Sequence, residues 1–235
     1  FYGSTVLVKF GGSAMEDMER AFGVLRDIAF MSVAGLKPIV VHGGGKAINA
    51  ELAREGVQPR FINGLRYTDS DTIRVVDRVL HEVVNASLVN FLRRDLHVDS
   101  TPVSGKNILR CQKIGTVDEA TGKELDLGFV GKVVNVDTPQ IQWILARHQI
   151  PVITPLASDQ VGGVYNINAD MAACEIAAEL KVRKLVFLSD VPGVLRNPED
   201  PSSLISSIHC DEVEELVHSG VIRGGMIPKI RSACE

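Results

Sequence analysis

Three glycine clusters of this sequence each lie directly before a predicted helix. They are Gly11-Gly12, Gly43-Gly44-Gly45 and Gly224-Gly225. Free backbone N–H groups at a helix N-terminus attract anions, and glycine lets an anion approach the backbone closely. One such cluster is more simply a tight turn, because glycine motifs give many false positives. Three clusters in one chain favour a ligand with several negative groups.

Two lysines flank the first and last of these clusters. Lys9 interrupts an apolar strand just before Gly11, and Lys229 lies in the first turns of the last predicted helix. Taken alone, a lysine at a strand end is usually a snorkelling side chain. Two ammonium groups ~4 Å apart repel by about 4 kcal/mol at an effective dielectric near 20, so their convergence requires an anion. Asp170 is the candidate; its simpler role is to complement a helix dipole.

Other ligand chemistries have weaker support. The G-x-G-x-x-G and G-x-x-x-x-G-K-[ST] patterns are absent from the glycine clusters, which disfavours a standard dinucleotide fold or P-loop. The six histidines are dispersed and are interpreted as structural or solvated. The four cysteines are also far apart, without C-x-x-C spacing, so we expect ordinary thiols and no protein-bound metal. They are Cys111, Cys174, Cys210 and Cys234.

The elements that must position these residues alternate between strand and helix. Apolar, β-branched runs predict strands at 5–10, 37–42, 150–155 and 184–190. Helical spacing predicts helices at 16–34, 68–94, 139–148, 168–180 and 211–218 and after 224. Glycine-separated pieces over 102–136 indicate an antiparallel β-hairpin insertion. The pattern predicts an α/β three-layer sandwich, with a mostly parallel central sheet and helices on both faces.

Two lobes sharing one sheet are expected, at 1–136 and 137–235. Because a strand should follow the last helix, the second lobe is expected to continue beyond residue 235.

Composition limits the classes of partner. The chain has 235 residues, 45% hydrophobic and 23% charged, with 29 acidic and 25 basic side chains. This is the globular range, and the scattered basic residues argue against a nucleic-acid partner. Charges interrupt every apolar stretch before ~18 residues, and the N-terminus carries no basic region leading into an apolar segment. We therefore expect a cytoplasmic protein without a membrane partner.

Six stretches together resemble the amino acid kinase family, and within it the members that act on N-acetylglutamate. In order, they are VKFGGS (8–13), VHGGG (41–45), NGLRYTD (63–69), NINAD (166–170), LSDVPG (188–193) and GGMIPK (224–229). The resemblance covers essentially the whole chain. It implies transfer of the ATP γ-phosphoryl group, with Mg²⁺, to the side-chain carboxylate of N-acetyl-L-glutamate. A carboxylate is ionised at pH 7, so no general base is needed.

The resemblance also implies roles for residues and partners. Lys9 and Lys229 would contact the phosphoryl groups and Asp170 would hold both lysines. The acceptor would be bound by Gly44, Gly45, Arg66 and Asn166, although Arg66 read alone is a solvated loop arginine. The nucleotide-side residues would be Gly11, Gly12, Asp190, Val191, Gly193, Leu195 and Arg223. A homodimer or hexamer is expected. The valine-rich stripe of helix 68–94 either forms the contact between two copies of the chain or packs in the core of one copy.

Two alternatives remain open. The first is a non-catalytic, kinase-like domain that senses arginine or acetylglutamate, against which the intact Lys9, Asp170 and Lys229 speak. The second is a related kinase for an acidic amino acid of the aminoadipate type, against which the stretch 63–66 speaks.

Overall fold

The computed structural model describes residues 1–15, 18–117, 122–188, 191–224 and 226–234. This part of the chain forms two compact units, Phe1–Leu188 and Ser189–Glu235. The predicted boundary at residue 136 separates lobes by function and not by compactness, and it stays a prediction.

The strands are, in chain order, β1 Thr5–Phe10, β2 Lys37–His42, β3 Phe61–Ile62, β4 Leu65–Arg66, β5 Ser100–Val103, β6 Leu109–Val117, β7 Glu124–Val136, β8 Ile150–Ile153, β9 Leu156–Ser158, β10 Val164–Asn166 and β11 Lys184–Phe187. The α-helices are α1 Met18–Val33, α2 Gly45–Arg54, α3 Ser70–Arg78, α4 Ala86–Asn90, α5 Gly105–Ile108, α6 Pro139–Ala146, α7 Ala169–Glu179, α8 Val213–His218 and α9 Met226–Cys234. The predicted helix start at 16–17 and strand end at 189–190 lie outside the described residues.

The central sheet has five parallel strands in the order β11-β1-β2-β8-β5. Alternate side chains of β1 point to opposite faces, as the period of two in a strand requires. Val6 and Val8 join a core with α1 and residues 70–95, whereas Leu7 joins a second core with α6 and α7. The predicted three-layer α/β architecture is confirmed.

The predicted antiparallel insertion is confirmed in part. Strands β6 and β7 form a long antiparallel hairpin, which closes with β9 and β10 into a four-stranded barrel. The prediction was wrong for the first piece, because residues 102–103 belong to β5, a parallel edge strand paired with β8. β5 follows a long helix, and a helical crossover favours parallel pairing.

Residues 70–95 form one long helical segment, called here the long helix. It begins after Asp69, whose side chain accepts a hydrogen bond from the Thr72 N–H at 2.8 Å, and contains π-helical turns at Val79–Asn85 and Phe91–Asp95. The predicted helix is confirmed, while its π-helical turns carried no sequence signal. Most valines of its stripe are buried in the core of this chain. Self-association through the stripe therefore stays a prediction.

The second unit contains α8 and α9. Arg231 on α9 donates two hydrogen bonds of 2.7 Å to the carboxylate of Glu214 on α8, which holds the two helices together. Among the helices that the structure describes in either unit, none combines the length and apolar character needed to cross a membrane.

Candidate active site

The carboxyl ends of β1 and β2 bring the first two glycine clusters together. The Gly43 N–H donates to the Phe10 carbonyl at 2.7 Å. A Cβ at Gly11 would lie 3.1 Å from Lys9 Nζ, so a side chain there would crowd the ammonium, while its distance of 3.5 Å from the Gly43 Cα is an ordinary contact. In parallel α/β sheets, ligands bind at the carboxyl ends of strands. The site is expected at this junction.

The N-terminus of α2 opens at the same junction. Gly44 is its N-cap residue, and no side chain caps the helix. A Cβ at Gly44 would lie 2.6 Å from Leu80 Cδ2 of the long helix, so glycine permits this close contact. The first N–H groups of a helix need partners outside the helix, and an anion can supply them.

Lys9 and Asp170 form an ion pair, with Lys9 Nζ 2.9 Å from the Asp170 carboxylate. Their side chains are only 11% and 18% exposed. Asp170 lies in the first turn of α7, where the Asn168 side chain caps the helix by accepting from the Asp170 and Met171 N–H groups. The structure thus brings together two residues that are 161 positions apart in sequence, as expected.

Arg66 is buried, with 7% of its surface exposed. Its Nη2 donates to Asn49 Oδ1 at 2.7 Å and to the Gly45 carbonyl at 3.3 Å, and its guanidinium lies 4.7 Å from the centre of the Phe61 ring. Its Nη1 is buried and has no hydrogen-bond partner among the described residues. Burial lowers the pKa of Arg66. A solvated loop arginine is excluded; a buried cation with an open donor is suited to bind a carboxylate.

Asn166 is linked to the Arg66 segment through Thr68. Asn166 Nδ2 donates to Thr68 Oγ1 at 3.3 Å, and this hydroxyl donates to the Arg66 carbonyl at 2.8 Å. Thr68 is fully buried. The chain of hydrogen bonds fixes the two predicted acceptor residues relative to each other.

One cavity of about 520 Å³ joins most of these groups within the first unit. Its walls include seven predicted site residues, namely Lys9, Gly12, Gly44, Gly45, Arg66, Asn166 and Asp170. Gly11 lies beside Lys9. The cavity offers three cationic side chains, Lys9, Lys46 and Arg66, together with two helix N-termini and amide groups, to one ligand.

His42 is a supporting residue that has no predicted role in the site. It is fully buried, its Nδ1–H donates to the Gly43 carbonyl at 2.8 Å, and its Nε2 lies 3.0 Å from Asn85 Nδ2. A carbonyl and an amide N–H fix this tautomer of a neutral ring. Burial lowers the pKa of His42 to about 4. Its position between a buried strand and three glycines is the sequence feature that could have indicated this supporting role.

The model of the amino acid kinase family matches residues 4–235. The chain belongs to the amino acid kinase family. It is 43% identical over 231 residues to the acetylglutamate kinase of Synechocystis sp., which covers 98% of this chain and 75% of that protein. It is likewise 44% identical over 232 residues to the acetylglutamate kinase of a Thermoanaerobacter species, with the same coverage. The predicted family is confirmed.

Solved structures agree on the fold. The smu.665 protein of Streptococcus mutans superposes with a TM-score of 0.81 at 32% identity, covering 98% of this chain and 89% of that one. N-acetylglutamate synthase of Neisseria gonorrhoeae superposes with a TM-score of 0.82 at 23% identity, but this chain spans only 51% of it. The second likeness shows the fold alone.

The other residues predicted from the family resemblance lie in the second unit or outside the described residues. Those described are Val191, Gly193, Leu195, Arg223 and Lys229, the last on α9. Asp190 lies outside the described residues. Gly193 has a φ of 149°, and a Cβ there would lie 2.9 Å from Leu204 Cδ1, so a side chain at this turn would be strained. The nucleotide-side roles of these residues stay predictions.

Proposed function

We propose that this chain is a kinase that transfers the γ-phosphoryl group of ATP to the side-chain carboxylate of N-acetyl-L-glutamate. The product is N-acetylglutamyl 5-phosphate, an intermediate of arginine and ornithine biosynthesis. The observation that carries the proposal is the buried Arg66, with its open Nη1, in the same cavity as the Lys9–Asp170 pair. Curated relatives named acetylglutamate kinase, 43–44% identical along nearly the whole chain, support it.

The acceptor has two carboxylates, and the cavity holds a cation for each. Arg66 would bind the α-carboxylate through Nη1, the guanidinium nitrogen that Asn49 and the Gly45 carbonyl do not engage. Asn166, next to Arg66 through Thr68, would bind a neighbouring polar group. The side-chain carboxylate would then point toward Lys9 and the N-terminus of α2. This arrangement selects an acceptor with two acidic groups at a fixed separation.

The chemical step needs alignment and positive charge. One oxygen of the ionised acceptor carboxylate attacks the γ-phosphorus, the bond from that phosphorus to the bridging oxygen breaks, and ADP departs with the electron pair. No proton is transferred in forming the acyl phosphate. Charge spreads over the three outer oxygens in a loose transition state. Lys9 and the N–H groups at Gly44 and Gly45 are the groups that we assign to neutralise it.

Asp170 acts on Lys9 rather than on the acceptor. A carboxylate 2.9 Å from Lys9 Nζ fixes the ammonium at the cavity wall and keeps its charge compensated when no ligand is bound. It also lies in the first turn of α7, where a negative charge is favourable. We assign Asp170 as the residue that organises Lys9, and by the family resemblance also Lys229.

ATP and Mg²⁺ belong to the nucleotide side. No group of three or more His, Cys, Asp or Glu side chains within the described ranges is placed to hold a metal ion. Mg²⁺ commonly keeps several waters and is bound through substrate phosphates with one or two carboxylates. We propose the same mode here, in which Mg²⁺ would be bound through the ATP phosphates and would neutralise part of their charge. Lys229, Gly11, Gly12, Asp190, Val191, Gly193, Leu195 and Arg223 are the residues proposed for this side.

The proposal also covers the oligomeric state and the cellular location of the enzyme. Assembly into a homodimer or hexamer and a cytoplasmic location both follow from the sequence prediction. Size-exclusion chromatography with light scattering measures the first.

The decisive experiment is release of ADP in the presence of ATP and Mg²⁺, with a panel of acceptors. We expect turnover with N-acetyl-L-glutamate, and at least a hundredfold lower kcat/KM with free glutamate, N-acetylaspartate and aminoadipate. A sensing domain would bind acetylglutamate without releasing ADP. An aminoadipate-type kinase would reverse the order of the panel. Either result contradicts the proposal.

Replacing Lys9 tests the phosphoryl-side role. We expect Lys9→Ala to lower kcat by at least a hundredfold, because loss of one such donor typically raises the barrier by ~3 kcal/mol. The free energy of unfolding should change less than the activation barrier. The control is Lys184→Ala, which removes an exposed lysine at the opposite end of the neighbouring strand β11. Equal kcat values for Lys9→Ala and the parent protein would refute the assignment.

A further inference from the structure

The cavity has an apolar wall that the charged groups of the acceptor do not use. Six residues of the long helix line it, spaced at intervals of three and four so that they share one helix face. They are Leu80, Val83, Val84, Ser87, Leu88 and Phe91. Of these six, Ser87 alone is polar. Opposite them, α1 contributes Ala21, Phe22 and Leu25. We call the space between these two helices the apolar arm of the cavity.

The apolar arm leads away from the segment Gly43-Gly44-Gly45, which we call the glycine loop. At one end, Leu80 lies against Gly44, where an added Cβ would be only 2.6 Å from its Cδ2. At the other end, Phe22 and Phe91 stack with their ring centres 4.2 Å apart and their planes within 10°. Eleven residue steps of helix from Leu80 to Phe91 span about 16 Å. The arm is therefore an elongated space that begins beside the acceptor.

The buried part of this arm favours an uncharged part of a ligand. A charged or polar group placed against Val84, Leu88 and Leu25 would lose water without gaining a partner. The proposed acceptor carries a carboxylate for Arg66 and a carboxylate for Lys9. Its remaining substituent, the N-acyl group, is the uncharged part and is free to enter the arm.

The cavity is also large for the proposed acceptor. About 520 Å³ falls in the range of pockets that enclose drug-sized ligands, roughly 300–1,000 Å³. We propose that the site accepts N-acyl-L-glutamates with acyl chains longer than acetyl, and that these chains lie along the long helix in the apolar arm. This inference rests on the proposed function and widens its substrate class to N-acylated glutamates with short hydrocarbon chains.

The test is a series of acceptors that differ only in acyl length. N-acetyl-, N-propionyl-, N-butyryl- and N-hexanoyl-L-glutamate are compared by ADP release with ATP and Mg²⁺. We expect kcat/KM to hold or to rise along the series, by up to about fourfold for each buried methylene group. A fall of tenfold or more from the acetyl to the butyryl compound, with acetylglutamate still a good substrate, would overturn the inference.

A variant that fills the arm gives a second measurement. Ala21→Leu adds three carbons to the α1 wall, and we expect it to lower kcat/KM for the hexanoyl compound at least tenfold while leaving that for the acetyl compound within twofold. The control is Ala34→Leu, the same substitution at an exposed position just after α1. Equal losses for both acceptors in Ala21→Leu would contradict an acyl-binding arm.

Binding without chemistry separates this inference from the proposed function. Isothermal calorimetry with N-hexanoyl-L-glutamate alone measures affinity for the parent protein and for Ala21→Leu. If none of the acceptors supports ADP release but the parent protein binds the hexanoyl compound tenfold more tightly than Ala21→Leu does, the kinase proposal fails and the arm stands. If acetylglutamate is phosphorylated and the hexanoyl compound neither binds nor reacts, the arm fails and the kinase proposal stands.

Discussion

Arg66 is placed to choose the acceptor through the shape of its guanidinium. One nitrogen is already held by Asn49 and the Gly45 carbonyl, which leaves the buried Nη1 for a ligand. A lysine has one ammonium on a flexible stem and cannot keep the Asn49 and Gly45 contacts while a second nitrogen binds a carboxylate. The charge at this position is therefore less important than the number and direction of its donors.

Replacing Arg66 by lysine should weaken acceptor binding more than turnover. We expect Arg66→Lys to raise the KM for acetylglutamate by about 10- to 100-fold, the equivalent of a charged hydrogen bond worth ~1.5–3 kcal/mol. The kcat should fall less than tenfold. Arg60→Lys, at an exposed arginine six residues earlier, is the control. An unchanged KM in steady-state measurements would remove Arg66 from the acceptor site.

His42 supports the glycine loop through a hydrogen bond to its backbone. Its Nδ1–H binds the Gly43 carbonyl, and Asn85 fixes the other ring nitrogen and also donates to the Val152 carbonyl at 2.8 Å. We expect His42→Ala to lower kcat about tenfold by loosening the N–H groups at Gly44 and Gly45. His42→Asn should recover part of that loss, since its amide can donate to the Gly43 carbonyl. Steady-state kinetics of both variants measure this, and equal losses would contradict a positioning role.

The residues that form the site were predictable from the sequence, whereas the residues that hold them in place were not. Lys9 stands out through the glycine cluster beside it, and Asp170 and Arg66 through the family resemblance, since each of the three read alone has an ordinary structural role. Asn49 and Asn85 lie on helices at positions that any solvated asparagine could occupy. Their roles depend on which helix packs beside the loop, and a local pattern cannot specify that.

At the scale of elements, the hairpin of β6 and β7 positions the acceptor segment. Thr68 bridges to Gly128 of β7: its N–H donates to the Leu127 carbonyl at 2.9 Å, and its carbonyl accepts from the Phe129 N–H at 2.6 Å. Gly128 has a φ of 73°, and a Cβ there would lie 2.1 Å from the Thr68 carbonyl oxygen. Glycine is thus required both by backbone conformation and by space.

The variant Gly128→Ala separates these two requirements when compared with Gly122→Ala. Gly122 has a similar φ of 67°, but no atom of the described residues lies within 4 Å of its Cβ position. We expect Gly122→Ala to lower the free energy of unfolding by about 1–2 kcal/mol, the cost of a left-handed residue. Gly128→Ala should cost more and should also raise the KM for the acceptor, because Thr68 and Arg66 move. Equal stabilities and equal KM values in urea unfolding and kinetics would contradict this link.

Element types followed from periodicity, while some pairings did not. The parallel sheet was predictable because its strands are apolar runs between amphipathic helices. The glycines after residues 102–103 predict that these residues belong to the hairpin, yet β5 pairs with β8 across 46 intervening residues. Barrel closure by β9 and β10 also depends on pairing between segments distant in sequence, which turn residues do not encode.

At the scale of the whole first unit, one sheet edge gathers groups from five separate segments. β1 supplies Lys9, α2 supplies its N-terminus, the β3–β4 segment supplies Arg66, and β10 and α7 supply Asn166 and Asp170. The charged end of the cavity could be predicted from motifs. The apolar arm could not, because a helix face that lines a cavity has the same spacing of apolar residues as one that packs in the core.

Stability as a function of pH reports the burial of His42 in the whole folded molecule. The ordinary pKa of histidine is 6.5, and in the folded state that of His42 is lowered to about 4 by burial and by the nearby His81. Between these two values the unfolded chain binds a proton that the folded chain does not. The free energy of unfolding must therefore decrease as pH falls from about 6.5 to about 4. Once the unfolded chain is fully protonated at this histidine, the difference between the two pKa values corresponds to a loss of about 3 kcal/mol in the free energy of unfolding.

Urea unfolding at pH 7, 6, 5 and 4 measures this loss, and His42→Asn is the matched control because it keeps a polar group but cannot titrate. We expect the parent protein to lose about 3 kcal/mol more than His42→Asn across this interval. Carboxylates such as Asp69 and Asp77, whose pKa values are lowered from the ordinary 3.8, weaken both proteins alike as pH falls toward and below that value, so their effect cancels in the comparison. Parallel pH profiles would mean that His42 keeps an ordinary pKa in the folded state and takes up a proton over the same pH range as the unfolded chain, which contradicts a ring held neutral by burial.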